Sequence, residues 1–346
     1  MTKYIDPGNM FGAIWDFPEN LSDALKLAEQ IELKCNYENI ENIVVAGMGG
    51  SAIGGDVVSI IEKNNIEIPF VVNRGYGLPN WANNHTLVVC SSYSGNTEET
   101  LCTLDDSIEK NAKICGITTG GKLVERLDEL DKDVILIPSG LQPRAALAFS
   151  FVPMIVLLEK AGVLDSSLRQ WLDSSVAQLQ DSRVLYGKEN ESNPTYALAQ
   201  KIKNRIPIIY SDSSTMGIAA VRLKGQISEN GKMLAYHNEL PEFNHNEIVG
   251  WENNPELLES LFVLWLIDSS DNPRIKHRQS ITKSILDEVG VDQVVLEMAE
   301  KSFEERFLHM IHFGDWLSFW CAILHETDPS PVEKITSLKY QLSKKK

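Results

Sequence analysis

The chain has 346 residues, with 32 basic against 48 acidic side chains and a formal net charge of −16. That balance excludes a nucleic-acid binder, because neutralising phosphates needs a basic face and the strongest basic run is the closing Lys344-Lys345-Lys346, which reads as a solvated tail. A hydrophobic content of 43% with 23% charged residues excludes a disordered chain, and the length predicts two compact units at ~100 to 200 residues each.

In chain order, the opening Met1 to Pro7 carries neither an apolar core nor a small-residue cleavage site, so no export signal is expected. Short β-branched runs at 43–46, 70–72, 86–90, 113–117 and 134–137 alternate with helical stretches at 54–63, 98–110 and 122–130. Strand–helix alternation of this kind predicts an α/β fold with a doubly wound parallel sheet. An amphipathic helical stretch over 150–182 and a polar segment over 187–194 lead to a second series, with strands at 206–210, 233–236, 261–267 and 293–296. Its helices are predicted at 214–229, 275–289 and 302–325. The expected division is therefore an N-terminal unit over 1–155, a helical connection over 156–195 and a C-terminal unit over 196–346. The apolar runs Met154 to Leu158 and Leu261 to Ile267 are shorter than the ~20 residues of a membrane helix, so no membrane span is expected. Cys35, Cys90, Cys102, Cys115 and Cys321 are odd in number and scattered, which reads as reduced thiols in a cytoplasmic protein.

The first strand runs into Gly47-Met48-Gly49-Gly50-Ser51-Ala52-Ile53-Gly54-Gly55-Asp56. Glycines at a strand-to-helix turn let backbone approach a ligand, and the helix N-terminus offers N–H groups to an anion. Gly47-x-Gly49-x-x-Ala52 partly mimics a dinucleotide fingerprint, but that fingerprint needs an acidic residue ~20 positions on. The second strand instead ends Val72-Asn73-Arg74, which disfavours NAD and leaves NADP open through Arg74. The third strand ends in Ser92-Tyr93-Ser94-Gly95-Asn96-Thr97, where three hydroxyls can converge as phosphate donors while Thr97 caps the next helix. A cap needs one hydroxyl, so three favour a small-phosphate site shared between the two turns. The second series has no glycine-rich counterpart: Tyr210 is followed by Ser211-Asp212-Ser213-Ser214.

These two turns, with Pro138-Ser-Gly-Leu-Gln-Pro-Arg144, resemble sugar isomerase (SIS) domains. The later segments Leu223 to Lys232, containing Glu229-Asn230, and Leu240 to Asn246, containing Asn244-His245-Asn246, narrow the resemblance to the bifunctional phosphoglucose/phosphomannose isomerases. It implies two doubly wound parallel-sheet SIS subdomains flanked by helices, a cytosolic homodimer, no metal and no cofactor. It also implies interconversion of glucose 6-phosphate or mannose 6-phosphate with fructose 6-phosphate. By resemblance, Ser92, Ser94 and Thr97 hold the substrate phosphate, with Gly50 and Ser51 lining the site. The family's arginine, glutamate, histidine and C-terminal lysine correspond to Arg144, Glu229, His245 and Lys339, and His245 is supplied to the neighbouring subunit's site.

The residue types suit that chemistry. A carboxylate can take a proton and return it on the same face, and a histidine titrates in the range useful for ring opening. An arginine at the C-terminal edge of a sheet can meet developing enediolate charge. Taken without the resemblance, the same groups read otherwise: Arg222, Gln226 and Glu229 form a polar helix face that is ordinarily solvated, and His245 is a surface-loop histidine. His309-x-x-His312 and His237-x-Glu239-x-x-Glu242-x-x-His245 have metal-like spacings but no third-ligand pattern. Phe303, Phe307, Met310, Ile311, Phe313 and Trp316 are expected to be core packing. A non-catalytic sugar-phosphate sensor would keep the hydroxyl turn but has no need of Glu229 together with His245.

Overall fold

The computed structural model describes residues 5–344, so the first four residues and Lys345 and Lys346 of the basic tail lie outside the described residues. Two compact units emerge: one comprises residues 16–180 with 302–305, the other residues 5–15, 181–301 and 306–344.

Helices α1 (Met10–Trp15) and α2 (Phe17–Glu29) open the described chain, on either side of the boundary between units. In the first unit, β1 (Asn42–Ala46) is followed by α3 (Gly49–Ile61), then β2 (Phe70–Asn73), β3 (Thr86–Ser91), α4 (Glu98–Glu109), β4 (Lys113–Thr118), α5 (Gly121–Glu129) and β5 (Asp133–Leu136). All five strands are parallel in the order β2-β1-β3-β4-β5. β1 and β3 are buried almost throughout because helices or loops cover both faces, which is why they read as continuous apolar runs. The segment predicted as one helix over 150–182 is two, α6 (Leu147–Lys160) and α7 (Leu168–Tyr186), broken where Gly162 takes φ +71°. The unit boundary falls inside α7.

The second unit continues with α8 (Pro194–Ile202), β6 (Ile206–Asp212), α9 (Gly217–Glu229), β7 (Tyr236–Leu240), α10 (Pro255–Leu258), β8 (Leu261–Ile267), α11 (Pro273–Val289), β9 (Gln293–Glu297), α12 (Phe303–Leu324) and α13 (Glu333–Ser343). Its four strands are parallel in the order β7-β6-β8-β9. The strand predicted at 233–236 lies three to four residues later: Tyr236 to Leu240 pairs with Ile208 to Asp212, which puts His237 and Glu239 on the strand. Polar alternation in Tyr-His-Asn-Glu-Leu hid an edge strand whose faces are only half-covered.

Helix α12 is the one described helix long and apolar enough to cross a bilayer, but 89% of that window is buried inside the fold. Phe307, Met310, Ile311, Phe313 and Trp316 are core residues, as their spacing predicts, and Phe303 is half-buried. Phe11 meets Trp316 and Phe319 edge-on at centroid distances of 5.0 and 5.5 Å, which ties the N-terminal helix α1 to this unit.

Candidate active site

Parallel doubly wound sheets bind ligands beyond the strand C-termini where the strand order reverses, here between β1 and β3. Both turns singled out in the sequence are at that point. After β1, α3 begins at Gly49, and Ser51 lies buried in its first turn. Gly50 is irreplaceable by contact: a Cβ there would sit 2.6 Å from the Pro143 carbonyl oxygen. After β3, Gly95 adopts φ +67°, and a Cβ would meet the Gly120 carbonyl oxygen at 1.7 Å.

Thr97 stands at the N-cap position of α4, yet its hydroxyl makes no cap bond. It is 2.8 Å from the hydroxyl of the buried Ser92. The expected dual role is thus corrected: the Thr97 hydroxyl faces the turn rather than the helix. A mutual hydrogen bond uses one of the pair's two protons and leaves the other to donate. Ser51 Oγ accepts the Tyr93 N–H at 3.1 Å, which occupies an acceptor position and leaves the Ser51 proton to donate. The exposed Ser94 completes the group, its Oγ accepting the Asn96 N–H at 3.3 Å.

Arg144 follows β5 in a short 3-10 turn, Pro143–Ala145, and is buried at 4% exposure. The packing of Gly50 against Pro143 and Arg144 carries the arginine's backbone to the start of α3. Gly50, Ser51, Ser92, Ser94, Thr97 and Arg144 are therefore gathered in the first unit by three loops of one sheet edge. Arg74, which left NADP open, is ion-paired with Asp56 of α3.

Glu229, His245 and Lys339 all belong to the second unit, on three elements. Glu229 is the half-buried last residue of α9. The polar face it shares is not solvated, contrary to expectation: Arg222 donates to both oxygens of Asp315 at 2.9 and 2.8 Å, and Gln226 donates to the same carboxylate at 2.7 Å. Both charged partners are buried, and a polar helix face that looks wet in sequence is a braced interior contact. Beyond Glu229, Asn230 donates to Ser318 at 2.9 Å, and the Lys232 ammonium donates to the carbonyls of Glu229, Pro329 and Pro331. His245 ends a 3-10 turn over Glu242–His245 and is exposed. Its turn is anchored by Phe243, fully buried and stacked on Tyr210 at 4.3 Å. Lys339 lies on α13, none of whose residues is buried.

The equivalent strand edge of the second unit has opposite chemistry. Asp212 ends β6, Asp268 and Asp271 follow β8, and all three are buried. Burial works to raise the Asp268 carboxyl, but Arg306, donating at 2.7 and 2.9 Å, and the Ser270 N–H and hydroxyl together outweigh it and hold Asp268 below the usual carboxylate range. Burial raises the Asp271 carboxyl against the hydrogen bonds it accepts from Thr215 and Gln279.

The His309-x-x-His312 spacing resolves into packing. His309 is held by Tyr186 and by Glu300, each at 2.7 Å, and His312 by Ile14 and Trp316. Among the described residues, no group of three or more His, Cys, Asp or Glu side chains is arranged to hold a metal ion. The buried thiols of Cys90 and Cys321 are pushed up to about 12 by burial, the reverse of what a nucleophile needs. Tyr93, passed over in the sequence because tyrosine carries no phosphate signal, lies on the loop after β3 and bonds to the other two, through its N–H to Ser51 and its phenol to Pro138 and Leu141.

Residues 191–342 match the family model described as the bacterial phospho-glucose isomerase C-terminal SIS domain. The chain is 41% identical over 338 residues to a bifunctional phosphoglucose/phosphomannose isomerase of Caldicellulosiruptor bescii, covering 96% of this chain and 99% of the relative. It is 38% identical over 332 residues to the enzyme of the same name in Aquifex aeolicus, covering 94% and 99%. Among solved structures, the C-terminal domain of glucosamine-fructose-6-phosphate aminotransferase from Francisella tularensis superposes with a TM-score of 0.71 at 15% identity, covering 95% of this chain and 99% of that one. That last likeness bears on the fold alone.

Proposed function

The chain belongs to the bifunctional phosphoglucose/phosphomannose isomerase family, and from that membership we propose that it interconverts glucose 6-phosphate and mannose 6-phosphate with fructose 6-phosphate. The observation that carries the reading is the cluster of donor hydroxyls at the β1/β3 crevice, next to the Arg144 turn, in a chain related over nearly its whole length to enzymes of that name.

The substrate phosphate takes its hydrogen bonds from Ser51, the Ser92–Thr97 pair and Ser94, supported by the N–H groups at the start of α3. The acidic edge of the second unit disfavours a dianion, so the phosphate has one home. His245 protonates the ring oxygen during opening, with Lys339 assisting. Glu229 removes the proton from C2 of the aldose and returns it to C1, while a proton passes between the oxygens on the same two carbons. The intermediate is a cis-enediol whose developing negative charge Arg144 stabilises from a buried, water-poor position. Glucose 6-phosphate and mannose 6-phosphate differ only in configuration at C2 and share that enediol. One base therefore serves both, provided the intermediate can turn its other face.

The active form is a homodimer in which His245 completes the partner's site, working in the cytoplasm, where five free thiols persist. The test is conversion of fructose 6-phosphate in deuterated water, with and without a chelator. Both aldose phosphates should form at equal rates in the two conditions, with deuterium at C2. Absence of either epimer, or product that never carries label, overturns the assignment.

A further inference from the structure

The segment that delivers Arg144, Pro138 to Pro143, has little regular structure of its own. Gly140 takes φ +102°, and the final 3-10 turn closes with the Ala145 N–H donating to the Gln142 carbonyl at 2.8 Å. Such a loop owes its position to what grips it. At its far end the grip is the close approach of Gly50 to Pro143. At its near end the Tyr93 phenol donates to the Pro138 carbonyl at 3.1 Å and accepts the Leu141 N–H at 2.9 Å. A hydroxyl that both donates and accepts fixes two points of the loop at once. The backbone of the same residue is tied on both sides: its N–H reaches Ser51 Oγ at 3.1 Å, and its carbonyl accepts the Thr119 N–H and hydroxyl at 3.0 and 2.7 Å.

We infer that Tyr93 is a positioning residue: its phenol holds the Pro138–Leu141 loop so that Arg144 is set against the enediolate, while the phosphate is gripped by groups that do not depend on that phenol. The inference rests on the proposed isomerase reading for the role of Arg144. The two hydroxyls flanking Tyr93 bind through their own side chains, and Ser51 accepts from the Tyr93 backbone, which a change of side chain leaves in place. Losing the phenol oxygen should therefore separate two properties that loss of a phosphate ligand would damage together.

The experiment compares Tyr93→Phe, Arg144→Ala and the double variant in the full chain. For Tyr93→Phe, kcat should fall about tenfold, the effect of losing two ordinary hydrogen bonds, with competitive inhibition by inorganic phosphate unchanged within about twofold. In the Arg144→Ala background the same substitution should cost nothing further, because a group acting through Arg144 has no independent effect. Calorimetry with a five-carbon sugar-acid phosphate, whose carboxylate imitates the enediolate, reads the same separation without turnover: Tyr93→Phe weakens this ligand and not inorganic phosphate. Amide exchange at Leu141 should quicken in Tyr93→Phe. Additive losses in the double variant, an unaltered kcat and ligand affinity, or a parallel loss of phosphate binding would each overturn the inference. Failure of the wild-type protein to isomerise would instead strike the functional reading, with the calorimetric comparison still deciding the role of Tyr93.

Discussion

Glu229 and Gly50 mark two kinds of dependence at single residues. Glu229→Gln keeps size and hydrogen bonding but removes the proposed base, so kcat should fall by about 10² to 10⁴ with KM little changed, as initial rates with fructose 6-phosphate will read. Gly50→Ala changes no chemistry. Its added Cβ would stand 2.6 Å from the Pro143 carbonyl oxygen, which is backbone and cannot rotate aside. Displacing the Pro143–Arg144 turn should lower kcat/KM about 10- to 100-fold. The two glycine-and-hydroxyl turns were legible as residues because their chemistry is local. The Ser92–Thr97 contact was not: a threonine before a helix looks like a cap, and only the structure turns its hydroxyl toward a serine five residues back.

Elements are held by buried polar contacts whose partners are distant in sequence. Helix α9, which ends at Glu229, is pinned to α12 by Asp315, which faces both Arg222 and Gln226. Asp315→Ala would leave the Arg222 guanidinium buried without its counter-ion and should destabilise the protein by about 3 to 5 kcal/mol in urea unfolding. Replacing both partners by apolar residues should recover most of that loss. At the start of β5, Asp133 accepts the N–H groups of Lys34 and Cys35 at 2.9 and 3.0 Å and the Tyr37 hydroxyl at 2.8 Å. Burial tends to raise this carboxyl, but the three donors prevail and lower it. A folded-state value below the unfolded one means the clamp's stabilisation is fully present above the ordinary carboxylate value of about 4 and is lost as pH falls through the lower folded value. Exchange of the Lys34 and Cys35 amides should accelerate only below that point in the native chain, and at every pH in Asp133→Asn. The helix face of Arg222 and Gln226 was read as solvated because amphipathic spacing cannot say whether a polar stripe meets water or Asp315, 93 residues away from Arg222.

For the whole molecule, the prediction concerns assembly. If His245 is supplied across a dimer, mixing Glu229→Gln and His245→Ala proteins after dissociation should restore activity, since one site of each mixed dimer inherits both native groups. Random reassortment makes half the dimers mixed with one good site each, so roughly a quarter of wild-type activity should return. No recovery in a mixture proven to contain heterodimers would place His245 in its own subunit's site. The excess of sixteen acidic charges belongs to the chain as a whole; in the proposed site the phosphate is met by neutral hydroxyls, and the buried Arg144 is left to the enediolate. Partition into units also depends on long-range packing: residues 5–15 join the second unit through Phe11 and Trp15 against Trp316, although they precede the first in sequence.

By itself the sequence determined the fold class, the two parallel sheets, the glycine and hydroxyl turns and the family resemblance, because each depends on periodicity or on neighbours within a few residues. Tertiary structure alone decided the register of the edge strand β7, the pairing of Ser92 with Thr97, the burial of Arg222 on Asp315 and the grip of Tyr93 on the Arg144 loop. Each of these joins groups through a chain reversal, and the side chain's partner is set by how the chain packs rather than by what stands beside it.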